Sequence, residues 1–230
     1  MNAVFVIIPI GLVVFLAVAT AAASWRTGAP RPVAIRRAQI VGACAVAWMM
    51  LTWIAAARGV LQQWERTPPP FAVMIAGVVV ISFAIAFGGV GRTLAAGLPL
   101  WVHVAVQGFR LPLELAMHVM SERGIMPPEM TYTGRNFDIV TGATAIVVAV
   151  LVASGRSGRR LVAAWNVLGL ALLVNVVIVA ILGTPAFRYF GDDHLNTWVT
   201  YPPFVWLPAV MVLAALAGHL IIFRALRSKG

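Results

Sequence analysis

Five polar side chains recur at helical spacing along one apolar stretch of the sequence. They are His103, Gln107, Arg110, Glu114 and His118, and we call this set the polar ridge. At about 100° per residue, the five fall within an arc of roughly 80° on one face of a helix. Arg and Glu are costly at bilayer depth unless they are paired or hydrated, so they usually face a bundle interior or an aqueous cavity. The polar ridge therefore predicts a buried polar site.

The composition predicts the element that carries the ridge. Hydrophobic residues make up 61% of the 230 residues and charged residues 10%, against roughly 45–50% and 25% in soluble domains. A bilayer core about 30 Å thick needs about 20 apolar residues per helix. We predict an all-α polytopic membrane protein, with residues 1–230 as a single transmembrane helical domain. The seven predicted spans are Val4–Ala22, Gln39–Ala57, Phe71–Gly91, Leu94–Met120, Phe137–Ala153, Leu161–Gly183 and Pro203–Phe223.

The distribution of basic residues predicts the orientation. A net charge of +10 is typical of nucleic-acid binding, but eleven of the 17 basic residues fall in the loops on one side of the predicted spans. Because positive residues are retained in the cytoplasm, the N-terminus is predicted outside and the C-terminus inside. The eleven are Arg26, Arg31, Arg36, Arg37, Arg92, Arg156, Arg159, Arg160, Arg224, Arg227 and Lys229. We therefore predict contact with the lipid bilayer and none with nucleic acid.

Three further features narrow the class of membrane protein. Met1-Asn2-Ala3 carries no basic residue, so we expect the first span to be retained and not cleaved as a signal peptide. Cys44 is the single cysteine, which excludes an intramolecular disulfide and a cysteine-rich metal site. Lys229 is the single lysine and lies at the C-terminus, so no span can hold a retinal Schiff base.

The loop before the fifth predicted span supplies more polar groups. Met126–Asp138 reads MPPEMTYTGRNFD, in which Asn136 and Asp138 are expected to open the fifth helix as a cap and a first-turn acid. Topology brings Arg135, Asn136 and Asp138 to the same outer half of the membrane as Arg110, Glu114 and His118. Two interpretations of Arg110 remain open: it faces Asp138 or Glu114 around a polar pocket open to the outside, or it forms an ion pair that only fixes helix register.

Histidine spacing raises the possibility of a cofactor. His103 and His118 are 15 residues apart, roughly 22 Å along a helix, so they cannot both ligate one haem. His103 and His219 are expected at similar depth, which leaves a weak haem or quinone site as an alternative. The cofactor is otherwise undefined by the sequence.

The outer loop and the enzymatic motifs give little support for a metal site or for catalysis. Asp192, Asp193 and His194 have the chemistry of Zn or Mn ligands, but three consecutive residues rarely converge on one ion, so we predict a solvated loop and no metal. The chain has no His-Glu-x-x-His, Gly-x-Ser-x-Gly or Walker motif. The sequence therefore favours a protein that is not an enzyme.

Three stretches carry a family resemblance: QGFRLPLEL at 107–115, MTYTGRNFDIVTGATA at 130–145 and WLPAVMVLAALAGHLIIFRAL at 206–226. They resemble a family of uncharacterised bacterial inner-membrane proteins with an Arg and a Glu on a central helix, a Met-Thr and Gly-Arg-Asn-Phe-Asp block, and a histidine on the last helix. The resemblance implies a bacterial inner-membrane location and no particular reaction. The matching positions are Arg110, Glu114, Met130, Thr131, Gly134, Arg135, Asn136, Phe137, Asp138 and His219.

These features give one leading hypothesis and two alternatives. The leading hypothesis is a seven-helix bundle of the bacterial cytoplasmic membrane that binds a small solute, an ion or a lipid headgroup for transport or sensing. Its predicted ligand-binding residues are Arg110, Glu114, His118, Arg135, Asn136 and Asp138. The alternatives are a redox or assembly component that holds haem or quinone through His103 and His219, and a purely structural subunit. The sequence identifies no protein partner.

Overall fold

The computed structural model describes residues 3–228, which are all-helical, with 76% helix and no strand in that range. The predictions that used Met1, Asn2 and Lys229 fall outside the described residues. The α-helices of the described part are α1 (Val4–Arg26), α2 (Arg31–Ala57), α3 (Pro70–Phe87), α4 (Gly89–Gly97), α5 (Leu100–Ala105), α6 (Arg110–Glu122), α7 (Ile139–Ala153), α8 (Arg159–Leu182) and α9 (Leu213–Ser228).

Two segments depart from α-helical geometry inside longer helical runs. A 3-10 turn, Val106–Phe109, joins α5 to α6. A π-helix, Leu207–Val212, leads into α9. Further 3-10 turns in the loops are Pro128–Met130, Asp192–His194 and Trp198–Thr200.

Within residues 3–228, five helical segments are long and apolar enough to cross a membrane. They are Val4–Arg26, Arg31–Ala57, Pro70–Phe87, Arg159–Leu182 and Leu207–Ser228. Their outward faces carry large apolar side chains such as Ile7, Val80 and Val167, which are 67%, 67% and 58% exposed. Because such surfaces need a non-aqueous environment, the fold indicates a multi-pass membrane protein.

The fourth predicted helix is not continuous, which corrects the sequence prediction. Leu98 is extended, with φ −106° and ψ 145°, and Pro99 caps the N-terminus of α5. The residue before a proline is biased away from helical geometry, and proline itself is accepted at a helix start. The predicted span Leu94–Met120 is therefore divided among α4, α5, the 3-10 turn and α6.

The second predicted helix begins earlier than expected. The sequence predicts a span that begins at Gln39, with Arg31 in the loop before it, but α2 begins at Arg31 with Pro32 in its first turn. Proline is favoured there because its missing N–H has no partner within the helix in any case. Several basic residues therefore lie on the first turns of a long helix, where their stems can reach toward the membrane surface.

The core joins α1, α3, α6, α8 and the π-helix. Phe5, Met117 and Met211 lie in it and are at most 1% exposed. The approach of α7 to α6 is close at Gly142, where an added Cβ would overlap the backbone nitrogen of Leu111 and lie 2.9 Å from the carbonyl carbon of Arg110. This contact brings the start of α7 against the ridge.

Candidate functional site

The polar ridge faces the interior over most of its length. His103 lies on α5, Gln107 on the 3-10 turn, and Arg110, Glu114 and His118 on α6. The first four are buried, and the exposed fractions of Gln107, Arg110 and Glu114 are 0%, 1% and 2%. The 3-10 turn advances more per residue than an α-helix, and the ridge nevertheless stays inward from His103 to Glu114. His118, one turn further, is only partly buried.

Arg110 pairs with a carboxylate on the neighbouring helix. Its Nη1 donates to Asp138 Oδ1 at 2.9 Å, and both side chains are buried. This is the cross-helix arrangement that one interpretation of the sequence predicted. Glu114, which follows Arg110 by four residues, is engaged elsewhere: its Oε2 accepts a hydrogen bond from Asn136 Nδ2 at 2.8 Å.

Asn136 connects the two acidic residues. Its Nδ2 also donates to the carbonyl oxygen of Met130 at 3.0 Å, and its Oδ1 accepts from the backbone N–H of Asp138 at 3.0 Å. A side-chain amide that bonds the backbone two residues onward forms an Asx turn. Asn136 is fully buried, so these bonds fix both the loop and the position of the Asp138 carboxylate.

The predicted roles at the start of this helix are correct in part: Asn136 Oδ1 accepts from the backbone N–H of Asp138, as a capping side chain does, but Asp138 is not a first-turn acid. Asp138 occupies the N-cap position of α7 but makes no side-chain capping bond within residues 3–228. Its carboxylate is committed to Arg110 instead. The Asn-x-Asp spacing is the sequence signal for the connection through Asn136, because an asparagine two residues before a backbone donor is typical of an Asx turn.

The structure brings together four of the six residues predicted to bind a ligand and leaves two at the surface. Arg110, Glu114, Asn136 and Asp138 form one network. His118 instead stacks near Tyr132, with ring centroids 4.6 Å apart, and its Nε2 lies 3.5 Å from Glu122 Oε1.

Arg135 is the second residue outside the network. It is exposed, and its guanidinium lies 5.4 Å from the ring centroid of Phe190. Its backbone carbonyl accepts a hydrogen bond from Asn175 Nδ2 at 2.7 Å. The neighbouring loops are also paired, with His194 Nδ1 2.7 Å from Glu129 Oε1. These contacts join the 123–138 loop to α8 and to the loop that follows it.

A cavity of about 220 Å³ adjoins the network. Arg110, Glu114, Asp138 and Asn196 line it, and its other lining residues are apolar side chains of α3, α6, α8, the π-helix and adjoining segments. The polar pocket predicted from the sequence is therefore corrected to an apolar cavity with a charged group of residues at one wall.

Part of the Arg110 guanidinium is unpaired beside that cavity. Its Nε and Nη2 are buried and have no hydrogen-bond partner among the residues that the structure describes. Buried N–H donors are nearly always satisfied, and an exception needs an explanation such as a ligand or an ordered water. The edge of the guanidinium formed by Nε and Nη2 is therefore chemically unsatisfied, and so is Oδ1 of Asn196, another residue that lines the cavity.

A second polar group lies beside the network on α8 and α9. Asn166 Nδ2 donates to the backbone carbonyl of His219 at 3.1 Å, so its Oδ1 must accept the 2.7 Å bond from His219 Nδ1. The imidazole is thus held as the Nδ1–H tautomer, and Nε2 is left as an acceptor. A Cβ added at Gly169 would lie 2.7 Å from His219 Cε1, so this edge of the ring is tightly packed.

His103 and His219 do not share an evident cofactor pocket. His103 lines a separate apolar cavity of about 670 Å³, together with residues of α1, α2 and α9 such as Trp48 and Gly218. His219 turns its ring toward Gly169 and Trp165. The close packing at Gly169 gives no support to a haem on that side, and the pairing of the two histidines stays a prediction.

Asp192 and His194 of the Asp192–His194 loop contact side chains outside it. Arg188 Nη1 lies 2.8 Å from Asp192 Oδ1, and His194 pairs with Glu129. Across residues 3–228, no three His, Cys, Asp or Glu side chains are grouped as a metal site would require.

Comparison with known proteins provides no further guide to the site. No family model matches the chain, and no match was found among curated proteins or solved structures.

Proposed function

We propose that this protein binds a small ligand at the buried Arg110 site, for transport or sensing across a bacterial cytoplasmic membrane. The observation that supports the proposal is that Arg110, which lines a cavity, has two buried donor atoms without a partner among the described residues. Purely structural ion pairs need all their donors satisfied to repay desolvation. Arg110 is 1% exposed and has one donor atom paired with Asp138, so a ligand that accepts from Nε and Nη2 would complete the arrangement.

The proposal includes seven membrane crossings with the N-terminus outside. Besides the five long helices, the run from α5 to α6 and helix α7 would cross. The pairing of Glu129 with His194 supports this arrangement, because it holds the 123–138 loop and the loop after α8 at the same end of the bundle. Helix α7 has 15 residues, about 22 Å of helix against a core of about 30 Å. Its N-terminus, where Asp138 lies, would therefore begin below the membrane surface.

The orientation can be tested by cysteine labelling. In a Cys44→Ser background, Ser157→Cys and Asp193→Cys place single thiols in the loops at opposite ends of α8. A membrane-impermeant maleimide added to intact cells should label position 193 and should label position 157 only after lysis. Labelling of position 157 in intact cells would reverse the proposed orientation.

Ligand binding can be tested by identifying what the purified protein carries. The protein is isolated from its membrane in lipid nanodiscs, and small molecules are extracted and identified by mass spectrometry. We expect a compound enriched in wild type and lost in Arg110→Met. Arg224→Met is the matched control, since Arg224 Nη1 donates to the carbonyl oxygen of Ala86 at 2.9 Å, away from the cavity wall. Equal recovery from wild type and Arg110→Met would refute a ligand at Arg110.

The structural hypothesis remains the second candidate because the Arg110–Asp138 pair is well formed. It predicts that the isolated protein carries nothing that depends on Arg110. It also predicts that the ion pair can be replaced by apolar residues without loss of any cellular function. A cellular phenotype of a doubly apolar variant that still folds would contradict it.

A further inference from the structure

The cavity beside Arg110 reaches the lipid-facing surface between two helices. Val79 on α3 and Val174 and Ile178 on α8 all line the cavity, and they are also 42%, 48% and 50% exposed. Residues that both line a cavity and face the exterior mark its opening. Because α3 and α8 are long apolar helices suited to a bilayer, this opening faces hydrocarbon.

The interior of the cavity suits a flexible apolar chain. Its wall includes Met117, Met130 and Met211, each from a different part of the bundle. Methionine is unbranched and adaptable, and it is common where a surface must accept several conformations of a partner. A hydrophilic solute would lose its hydrating water molecules against this wall. Only the few polar groups at one end of the cavity could replace them.

The unpaired edge of Arg110 indicates the chemistry of the ligand's head group. Nε and Nη2 carry parallel N–H groups, which match the two oxygens of a carboxyl group in a bidentate arrangement. Asp138 contacts Nη1 at 2.9 Å, so this edge is left for a second acceptor. An ester or alcohol offers one good acceptor and would satisfy only one of the two N–H groups of this edge.

Charge balance favours a head that can arrive neutral. Glu114 and Asp138 already lie at the same wall as Arg110, so a permanently charged phosphate would add negative charge to a site with one cation and two carboxyl groups. A carboxylic acid that enters from the membrane brings its own proton. When the ligand binds Arg110 as a carboxylate, that proton is released to water at the membrane surface, whereas a phosphate would have to cross the hydrocarbon already charged.

We infer that the ligand is a long-chain fatty acid, which enters between α3 and α8, places its chain in the apolar cavity and binds the Nε–Nη2 edge of Arg110 through its carboxyl group. This inference rests on the proposed ligand site and specifies its occupant. Phospholipids, acyl esters and quinones also have apolar parts, but they lack a head group that can enter neutral and then bind Arg110 as a bidentate carboxylate.

Photolabelling tests the inference in the intact protein. The probe is an analogue of palmitic acid with a diazirine near the end of its chain, applied to protein in nanodiscs. We expect crosslinks within α3 or α8, competition by palmitic acid, and no competition by methyl palmitate or ubiquinone. Arg110→Gln should weaken binding by about tenfold or more, because charge-assisted hydrogen bonds are lost.

Two neighbouring positions on α3 test the route without altering Arg110. Val79→Trp fills the opening and should reduce labelling by about tenfold. Val80→Trp is the matched control, since Val80 is 67% exposed and faces outward, and it should label as wild type. Equal labelling of the two variants would overturn the lateral route.

The outcomes separate this inference from the proposed function. Competition by methyl palmitate or ubiquinone as strong as by palmitic acid would overturn the fatty acid as the ligand. If a different compound is recovered from wild type and lost in Arg110→Met, the ligand site stands and the fatty acid is refuted. If no compound depends on Arg110 and no labelling occurs, both are refuted.

Discussion

Replacing Asp138 by Ala removes the carboxylate that Arg110 Nη1 contacts at 2.9 Å. Arg110 is 1% exposed, so its charge cannot reach water when the partner is lost. Breaking a buried ion pair from one side typically costs about 3–5 kcal/mol. Asp138 makes no capping bond to the described residues of α7, so little of this loss would come from the helix terminus. We expect the unfolding equilibrium constant to rise by roughly two to three and a half orders of magnitude.

Replacing Arg110 alone, and then Arg110 and Asp138 together, tests whether the lost stability comes from the ion pair itself. Arg110→Met alone leaves the Asp138 carboxylate buried and should be destabilising by a similar amount. Arg110→Met with Asp138→Leu removes both charges and keeps most of the volume, and such replacements are often neutral or stabilising. The two single losses should therefore be strongly non-additive, with a coupling of about 3 kcal/mol or more.

The assay is reversible unfolding in mixed micelles, in which a denaturing detergent replaces a mild one and tryptophan fluorescence follows the transition. The chain has 8 tryptophans, several of them in the core. If Asp138→Ala loses less than about 1 kcal/mol, as exposed pairs do, then Arg110 is hydrated or otherwise satisfied. A double variant as unstable as the sum of the singles would refute the direct pairing.

Three further replacements test the packing around the site. Gly142→Ala should destabilise the protein by about 1–3 kcal/mol, because the added Cβ would overlap the backbone at the start of α6. Gly11→Ala is the control, since Gly11 has open space around it, and it should change stability by less than about 1 kcal/mol. Asn136→Ala should lower the free energy of unfolding by about 1–3 kcal/mol, because it leaves buried polar groups unpaired. Asn175→Ala should lower it by less, because the Asn175 side chain donates one hydrogen bond, to a loop carbonyl. Trp48→Phe removes the 2.8 Å bond from Nε1 to the carbonyl oxygen of Ala209 in the π-helix and should cost about 1 kcal/mol. Each is measured by the same unfolding assay.

The helical class and the inward orientation of the ridge could be predicted because both follow from residue type and spacing. Apolar runs long enough for a bilayer specify helices, and Arg and Glu on one face of such a helix specify an interior. The sequence could not determine which carboxylate pairs with Arg110, because Asp138 and Glu114 were both within reach. The structure shows that Asp138 is the partner, because Asn136 hydrogen-bonds the Glu114 carboxyl group and fixes the position of Asp138.

The interruption at Pro99 and the apolar character of the cavity were harder to predict. Mid-helix prolines occur in membrane helices, so Pro99 was compatible with either a bend or a new helix start. The cavity is formed by residues from α3, α8 and the π-helix that are distant in sequence. Their apolar periodicity looks the same whether they face lipid, a core or a cavity, so pattern alone cannot distinguish these environments.

The two departures from α-helical geometry both adjoin the Arg110 cavity. Phe109, at the end of the 3-10 turn, lines it, and so do Leu207 and Met211 of the π-helix. Such segments cost regular hydrogen bonds and are common at functional sites. Here they lie beside a buried arginine whose donors are incompletely used. A bundle that needed only to fix helix register could pack this region with regular helices and apolar side chains, so the combination favours a site that accepts a ligand.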